Sequence, residues 1–269
     1  MSFLDEIIAT KRPQVEAAKN SISLEQIRQG ALASRANAGS HRLFEALEHD
    51  GVNIIAEFKR RSPSKGVIRA DASPNNVATT YQRGGAVAIS VLTEENYFAG
   101  LLDDLREVKA AVRLPVLRKD FIFDEFQIYE SALAGADALL LIVSALDDET
   151  LRSLRSVTED VLGMDALVEV HNAAEMERAI AAGSRLIGVN NRNLHTFEVS
   201  LSVSLELARL APEKTVLISE SGIKNSADVV RLRNAGYQGF LIGESLMRAE
   251  DPEFALKNLI AGGAQRIAS

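Results

Sequence analysis

A chain of 269 residues, 46% hydrophobic and 25% charged, can bury one large core, and α/β barrels of this length commonly form one domain. Its net charge of −7, pI near 5.3, 5% aromatic content and lack of Trp argue against nucleic-acid binding. The absence of Cys excludes disulfides, thiolate catalysis and thiolate-held metals, and no apolar run reaches the roughly 20 residues that a bilayer needs.

The opening segment, "MSFLDEIIATKRPQVEAAKN", carries an amphipathic helical pattern with acids and bases mixed. It lacks the basic head, apolar centre and small-residue cleavage site of a secretion signal, so a cytoplasmic protein is expected. "SISLEQIR" then supplies a capped helix start. Residues 1–48 therefore read as one or two extra helices packed on the rest of the chain. With no Pro/Gly/Ser-rich linker between, residues 1–269 are expected to form a single domain.

From residue 52 onward, short runs rich in Val, Ile and Leu alternate with segments of helical periodicity. The expected strands are 52–58, 86–93, 115–121, 137–144, 165–171, 185–191, 215–221 and 239–245. Helical segments such as "DDLREVKAAV", "FDEFQIYESALA", "AAEMERAIAA" and "NSADVVRLRNA" lie between them. Near-continuous apolar strands, each followed by a helix, indicate parallel strands buried on both faces. Gly85, Gly135, Gly183 and Gly236 precede alternate strands with a period of about 50 residues, marking four βαβα quarters. Each suits the left-handed cap that ends a helix. A closed (β/α)8 TIM barrel with an N-terminal helical extension accounts for all of this; an open doubly wound sheet is the alternative.

Five apolar strands end in charged or polar residues: Glu57 and Lys59, Lys119 and Asp120, Glu169, Asn190 and Asn191, Glu220 and Ser221. In barrel enzymes the C-terminal strand ends form the catalytic face. Side chains two apart share a strand face, so Glu57 and Lys59 point together into the barrel mouth, while Glu169 follows Leu167 inward and Glu220 follows Ile218. Lysines among glutamates can shift one another's proton affinities, the arrangement that general acid–base catalysis uses. The histidines, at 41, 49, 171 and 195, are scattered without ligand-like spacing, so no metal site is expected.

"SESGI" and "LIGES" place Ser221, Gly222, Gly243 and Glu244 in the last two βα loops, where barrels bind phosphate through backbone N–H groups. The loop after the first strand, "KRRSPSKGVIR", holds Lys59, Arg60, Arg61, Lys65 and Arg69, with Arg60 and Arg61 read as solvated. Local positive charge on an acidic protein would attract an anionic substrate. Pro63 and Gly66 suit a loop that closes as a lid.

The motifs "IIAEFKRRSPSKG", "VLRKDFI", "ALVEVH", "GVNNRNL", "LISESGI" and "FLIGESLM" resemble, in order and spacing, the indole-3-glycerol phosphate synthase family of tryptophan biosynthesis. "SVLTEENYFAG" and the helical N-terminal extension are also similar, so the resemblance spans essentially the whole chain. It implies a carboxy-lyase acting without cofactor or metal on a small substrate carrying a carboxylate and a phosphate, in a monomer. By matched motif, Lys119 resembles the family's general acid, Glu169 its later acid–base residue and Glu57 its second active-site glutamate. Lys59 would hold the substrate carboxylate with Ser62 nearby, and Asn190 and Glu220 would orient hydroxyls and amine. Ser221, Gly222, Gly243 and the backbone of Glu244 would hold phosphate, Glu244 standing where some members have serine. Phe98 and Phe121, with Leu92, Leu141 and Leu194, would line an apolar slot. A Schiff-base aldolase-type barrel using Lys119 or Lys59, and a non-catalytic binding barrel, are the competing readings.

Overall fold

The computed structural model describes residues 3–194 and 196–264; His195 and the remaining terminal residues lie outside them. Three helices precede the first strand: α1 (Phe3–Ser21), α2 (Leu24–Arg35) and α3 (Arg42–Leu47). Next in the chain come β1 (Asn53–Phe58), α4 (Pro74–Gly84), β2 (Ala88–Leu92), α5 (Glu95–Phe98), α6 (Leu102–Ala111), β3 (Val116–Lys119) and α7 (Glu125–Leu133). The second half contains β4 (Ala138–Ile142), α8 (Asp148–Ser156), β5 (Asp165–Val170), α9 (Ala173–Ala181), β6 (Leu186–Asn190), α10 (Ser202–Leu207), β7 (Val216–Glu220), α11 (Ser226–Asn234), β8 (Gly239–Ile242), α12 (Glu244–Arg248) and α13 (Pro252–Gly263). No helix among the described residues is long and apolar enough to cross a membrane.

All eight strands are parallel to their neighbours and close into a barrel, β8 pairing back onto β1 with Ile54 opposite Phe240. The closed barrel, rather than an open sheet, is the architecture. Each expected strand is present, trimmed by a residue or more at its ends, with β8 stopping at Ile242 because α12 begins at Glu244. Gly85, Gly135, Gly183 and Gly236 have φ of 92°, 90°, 80° and 105°, the left-handed conformation in which a Cβ is penalised.

Strand alternation divides the core in two. Ile55, Leu117, Leu140, Leu167, Leu186, Ile218 and Leu241 fill the barrel interior. Their strand neighbours, such as Ile54, Ala56, Leu139, Leu141, Val168 and Phe240, face the surrounding helices. Leu141 therefore packs outward, away from the slot expected for it, and Leu140 and Ile142 take the inward positions.

The N-terminal helices close the barrel's ends. Ser23 caps α2 in a reciprocal capping box with Gln26, the start expected from "SISLEQIR". Leu43 and Leu47 of α3 join the interior cluster from the N-terminal end, and the Leu43 and Phe44 N–H groups donate to Asp165 Oδ2 at 2.8 and 3.1 Å. Along α1, Leu4, Ile7, Lys11 and Val15 form the buried stripe at helical spacing. Phe3, Leu4 and Ile7 of this helix reach the cavity at the opposite end of the barrel.

Candidate active site

At the C-terminal ends of the strands lies a cavity of about 620 Å³. Glu57, Lys119, Glu169 and Glu220 enter it from β1, β3, β5 and β7. These are alternate strands, which contribute side chains to one layer of a barrel interior. Lys119 Nζ donates to Glu169 Oε2 at 2.7 Å and to Glu220 Oε2 at 2.6 Å. Lys59 Nζ donates to Glu57 Oε1 at 2.6 Å, so the pair at the end of β1 does share a face. Ser62 lines the same wall, its Oγ buried without a hydrogen-bond partner among the described residues.

Burial opposes the charge on Lys119, but Glu169, Glu220 and Glu57 outweigh it and raise its proton affinity above that of an ordinary lysine. The two carboxylates it bridges diverge. Burial works to raise Glu169, yet Lys119 and His171 hold it below the usual carboxylate range. Burial pushes Glu220 up to about 7, Lys119 offsetting this only in part while Glu169 adds repulsion. Glu220 Oε1 has no hydrogen-bond partner among the described residues and lies against the bare backbone of Gly188, where a Cβ would stand 2.1 Å from it. Gly243 makes similar room for Glu57, a Cβ there falling 2.4 Å from Oε1. The two glycines thus admit carboxylates that any side chain would displace.

At the β7 and β8 ends, Ser221 and Gly222 have successive positive φ values of 66° and 85°. Such turns direct backbone N–H groups into an anion-binding concavity. Gly243 and Glu244 border the cavity beside them, with the Glu244 carboxylate 3.4 Å from Arg248. Phe98 and Phe121 lie 6.2 Å apart, and Leu92 and Leu194 join them in the cavity wall. Phe98 is held by the Glu94 carboxylate, which caps α5 by accepting from the Asn96, Tyr97 and Phe98 N–H groups.

Some strand-end residues face elsewhere. The Asn191 amide donates to Ser219 Oγ and to the Glu220 and Ser221 carbonyls, tying the loops together on the outer side of β6. The Asp120 carboxylate pairs with Lys11 of α1 at 2.7 Å and with Arg118 at 3.0 Å, and accepts from Thr93, anchoring α1 across the barrel mouth. Arg60 is not merely solvated: it lies over the Phe58 ring and grips Asp104 at 2.8 Å. Arg61 is exposed, in a short hairpin of Arg61–Ser62 against Gly66–Val67.

Four contributors escaped the sequence reasoning. His171 stands 3.3 Å from Glu169, two residues further on and just past the end of β5, the spacing that relates Lys59 to Glu57. Gly188 was signalled only as a glycine inside an apolar strand. Arg192 and Arg248 line the cavity, Arg192 donating through its N–H to Asn190 Oδ1 at 3.0 Å, and nothing in their spacing marked them.

A (β/α)8 barrel whose strand C-termini converge on interlocked lysines and glutamates is a barrel enzyme of the kind that works at its C-terminal face. Residues 4–259 match the family model of indole-3-glycerol phosphate synthase, and the chain belongs to that family. It is 48% identical over 264 residues to the indole-3-glycerol phosphate synthase of Carboxydothermus hydrogenoformans, covering 96% of this chain and 100% of the relative. It is 46% identical to that of Kineococcus radiotolerans, covering 98% and 97%. Among solved structures, 3-hexulose-6-phosphate synthase from Salmonella typhimurium superposes with a TM-score of 0.64 at 14% identity, over 79% of this chain and 98% of that one. Thiamine phosphate pyrophosphorylase from Pyrococcus furiosus gives 0.61, also at 14%, over 78% and 95%. These two share the barrel fold.

Proposed function

We propose that this chain closes the indole ring of 1-(2-carboxyphenylamino)-1-deoxyribulose 5-phosphate, releasing CO2 and water to give indole-3-glycerol phosphate. The observation that carries the reading is the Lys119 ammonium held between Glu169 and Glu220 at the mouth of a barrel of this family. A cation so placed can protonate the ribulose carbonyl oxygen as the ring carbon attacks, forming the new carbon–carbon bond. Departure of CO2 restores the ring carbon. Glu169 then takes up a proton, and the hydroxyl leaves as water with a proton from the same cluster.

Lys59 holds the substrate carboxylate by exchanging its partner Glu57, and Ser62 Oγ supplies an unengaged polar group beside it. Asn190 and Glu220 orient the hydroxyls and amine, and Glu57 polarises the reacting groups. The turn of Ser221 and Gly222, with the Gly243 and Glu244 backbone, takes the phosphate; Phe98, Phe121, Leu92 and Leu194 pack on the aromatic ring. A carboxylate and a phosphate gripped at two points press the reacting atoms together, which lowers the barrier as positioning does. A Schiff-base route needs a neutral amine, and the carboxylates around Lys119 favour its charged form.

Since the chain has no Trp, indole formation is read directly as new fluorescence over a tyrosine background. Turnover of the carboxyphenylamino substrate is expected. Its absence in folded protein, or a borohydride-trapped lysine adduct, would overturn this reading.

A further inference from the structure

We propose that His171, held by Glu175, braces Glu169 from behind as a fixed positive charge and is a positioning residue for the proton transfers. This rests on the proposed ring-closing function. The imidazole lies between two carboxylates. Nε2 stands 3.3 Å from Glu169 Oε1, a charge contact just outside hydrogen-bond geometry. Nδ1 lies 3.0 Å from Glu175 Oε2, which also accepts the His171 backbone N–H at 2.8 Å. Glu175 is fixed in turn within the first turn of α9, Oε1 accepting from the Asn172 side chain at 2.7 Å and its N–H donating back at 3.0 Å. Each ring nitrogen thus faces a carboxylate oxygen. A neutral imidazole would turn one lone pair onto a carboxylate, whereas the imidazolium presents an N–H to both.

The surroundings of two glutamates differ chiefly in this imidazole. Glu169 and Glu220 share Lys119 at nearly equal distances, and their side chains are 3% and 2% exposed. They differ in that Glu169 has His171 at its second oxygen, while the second oxygen of Glu220 has no partner among the described residues. Glu169 is held below the usual range and Glu220 is pushed up to about 7. Burial opposes charge on His171 itself, but Glu169 and Glu175 outweigh it and push it up to about 10.

The groups facing Glu169 are Lys119 on β3, Glu220 on β7 and His171 just past the end of β5, and those facing His171 are Glu169 and Glu175. When the substrate's carbonyl draws the Lys119 ammonium away, Glu169 keeps one cation. It stays ionised until the ring-closing step delivers its proton, and Oε2, released by Lys119, is free to accept it. A buried carboxylate left without a counter-charge would take up a proton before the reaction called for one.

The test has two arms. In the intact protein, long-range nitrogen–proton NMR of the few imidazoles, with the signal missing from His171→Asn assigned to His171, is expected to show both nitrogens protonated from about pH 6 to 8. Titration of that signal near 6.5 overturns the proposal, and this arm is independent of turnover, so it stands even if the activity reading fails. In the second arm, His171→Asn keeps a donor but removes the charge. Its kcat should fall at least about tenfold with KM nearly unchanged, and the acid limb of the kcat profile should move up by about one pH unit. A folded H171N enzyme with an unmoved acid limb overturns the proposal. If H171N does not fold, Glu175→Gln decides instead: His171 should then titrate at lower pH and the acid limb rise, and an unmoved limb overturns it.

Discussion

The sharpest consequence of the geometry concerns Gly188, which contributes only the space above it. Its φ is ordinary, so alanine suits the backbone and would even gain about 0.4–1 kcal/mol from the stiffer unfolded chain. The added Cβ, however, would lie 2.1 Å from Glu220 Oε1 and 3.2 Å from both Glu220 Cδ and Leu167 Cδ1. To restore a contact of 3.0 Å, the carboxylate must withdraw by about 0.9 Å. Moving directly away from Lys119 would stretch their 2.6 Å bond to about 3.5 Å, beyond hydrogen-bond range. Overpacking of this kind costs about 1–3 kcal/mol, so a net destabilisation of about 1–2 kcal/mol is expected. A displacement of about 1 Å in a catalytic cluster lowers turnover by about 10²-fold. Stability is read from the urea midpoint and turnover from indole fluorescence. The control is Gly239→Ala at the opposite end of the barrel, whose Cβ would meet Ile218 Cγ1 at 2.9 Å and Leu47 Cδ2 at 3.0 Å. It should lose stability and keep kcat. If G188A loses stability yet keeps kcat within about twofold, the void does not position Glu220 and the reasoning fails.

Lys119→Ala should lower kcat by at least about 10²-fold while calorimetry still detects binding of a substrate analogue; near-normal kcat would assign the general acid elsewhere. Lys59→Ala should raise KM about tenfold or more, and an unchanged KM would contradict its grip on the carboxylate. His171 gains protons on folding, so its contribution to stability is complete below about 6.5 and lost as pH rises toward 10. Chemical-denaturation midpoints should fall across that window and fall less in H171N. Lys11→Met removes the partner of Asp120 on α1, leaving Arg118, Thr93 and the Phe121 N–H, and should cost about 1–3 kcal/mol by urea titration; an unchanged midpoint would show that this link does not fasten the helix.

The barrel was legible because each quarter repeats one physical problem. A strand buried on both faces must be apolar throughout, and a helix that returns to it needs a left-handed stop, hence Gly85, Gly135, Gly183 and Gly236. The charged groups of the cavity were legible for the opposite reason, since Glu57, Lys119, Glu169 and Glu220 break an apolar run where the strand reaches the mouth. Direction was harder to read. Asn191 and Asp120 sit one residue beyond inward-facing Asn190 and Lys119, and alternation sends their side chains outward. The same rule moves the cavity wall from Leu141 to its neighbours, and Ile142 pairs in register with Glu169. His171 was within reach of that rule, being to Glu169 what Lys59 is to Glu57. Partnerships across the barrel were not, because nothing local says that Lys119 bonds Glu169 and Glu220 while Glu57 is taken by Lys59. Gly188 is harder still, for its contribution is an absence measured against a strand about 30 residues away.

The layer's parity explains why this cluster is poised. Lys119 on β3 has Glu57 two strands to one side, Glu169 two strands to the other and Glu220 of β7 across the mouth, so one ammonium meets three carboxylates. Lys59 engages the first and His171 the second. The third, shared with Lys119 and otherwise against bare glycine, is the one whose proton affinity rises to about 7. The cluster therefore sets a lysine kept charged beside one carboxylate held ionised and a second whose proton affinity is raised toward neutrality. A ring closure that first needs a proton on oxygen and then must shed one from carbon uses both directions of transfer. A lone lysine–glutamate pair, each partner stabilising the other's charge, would resist both.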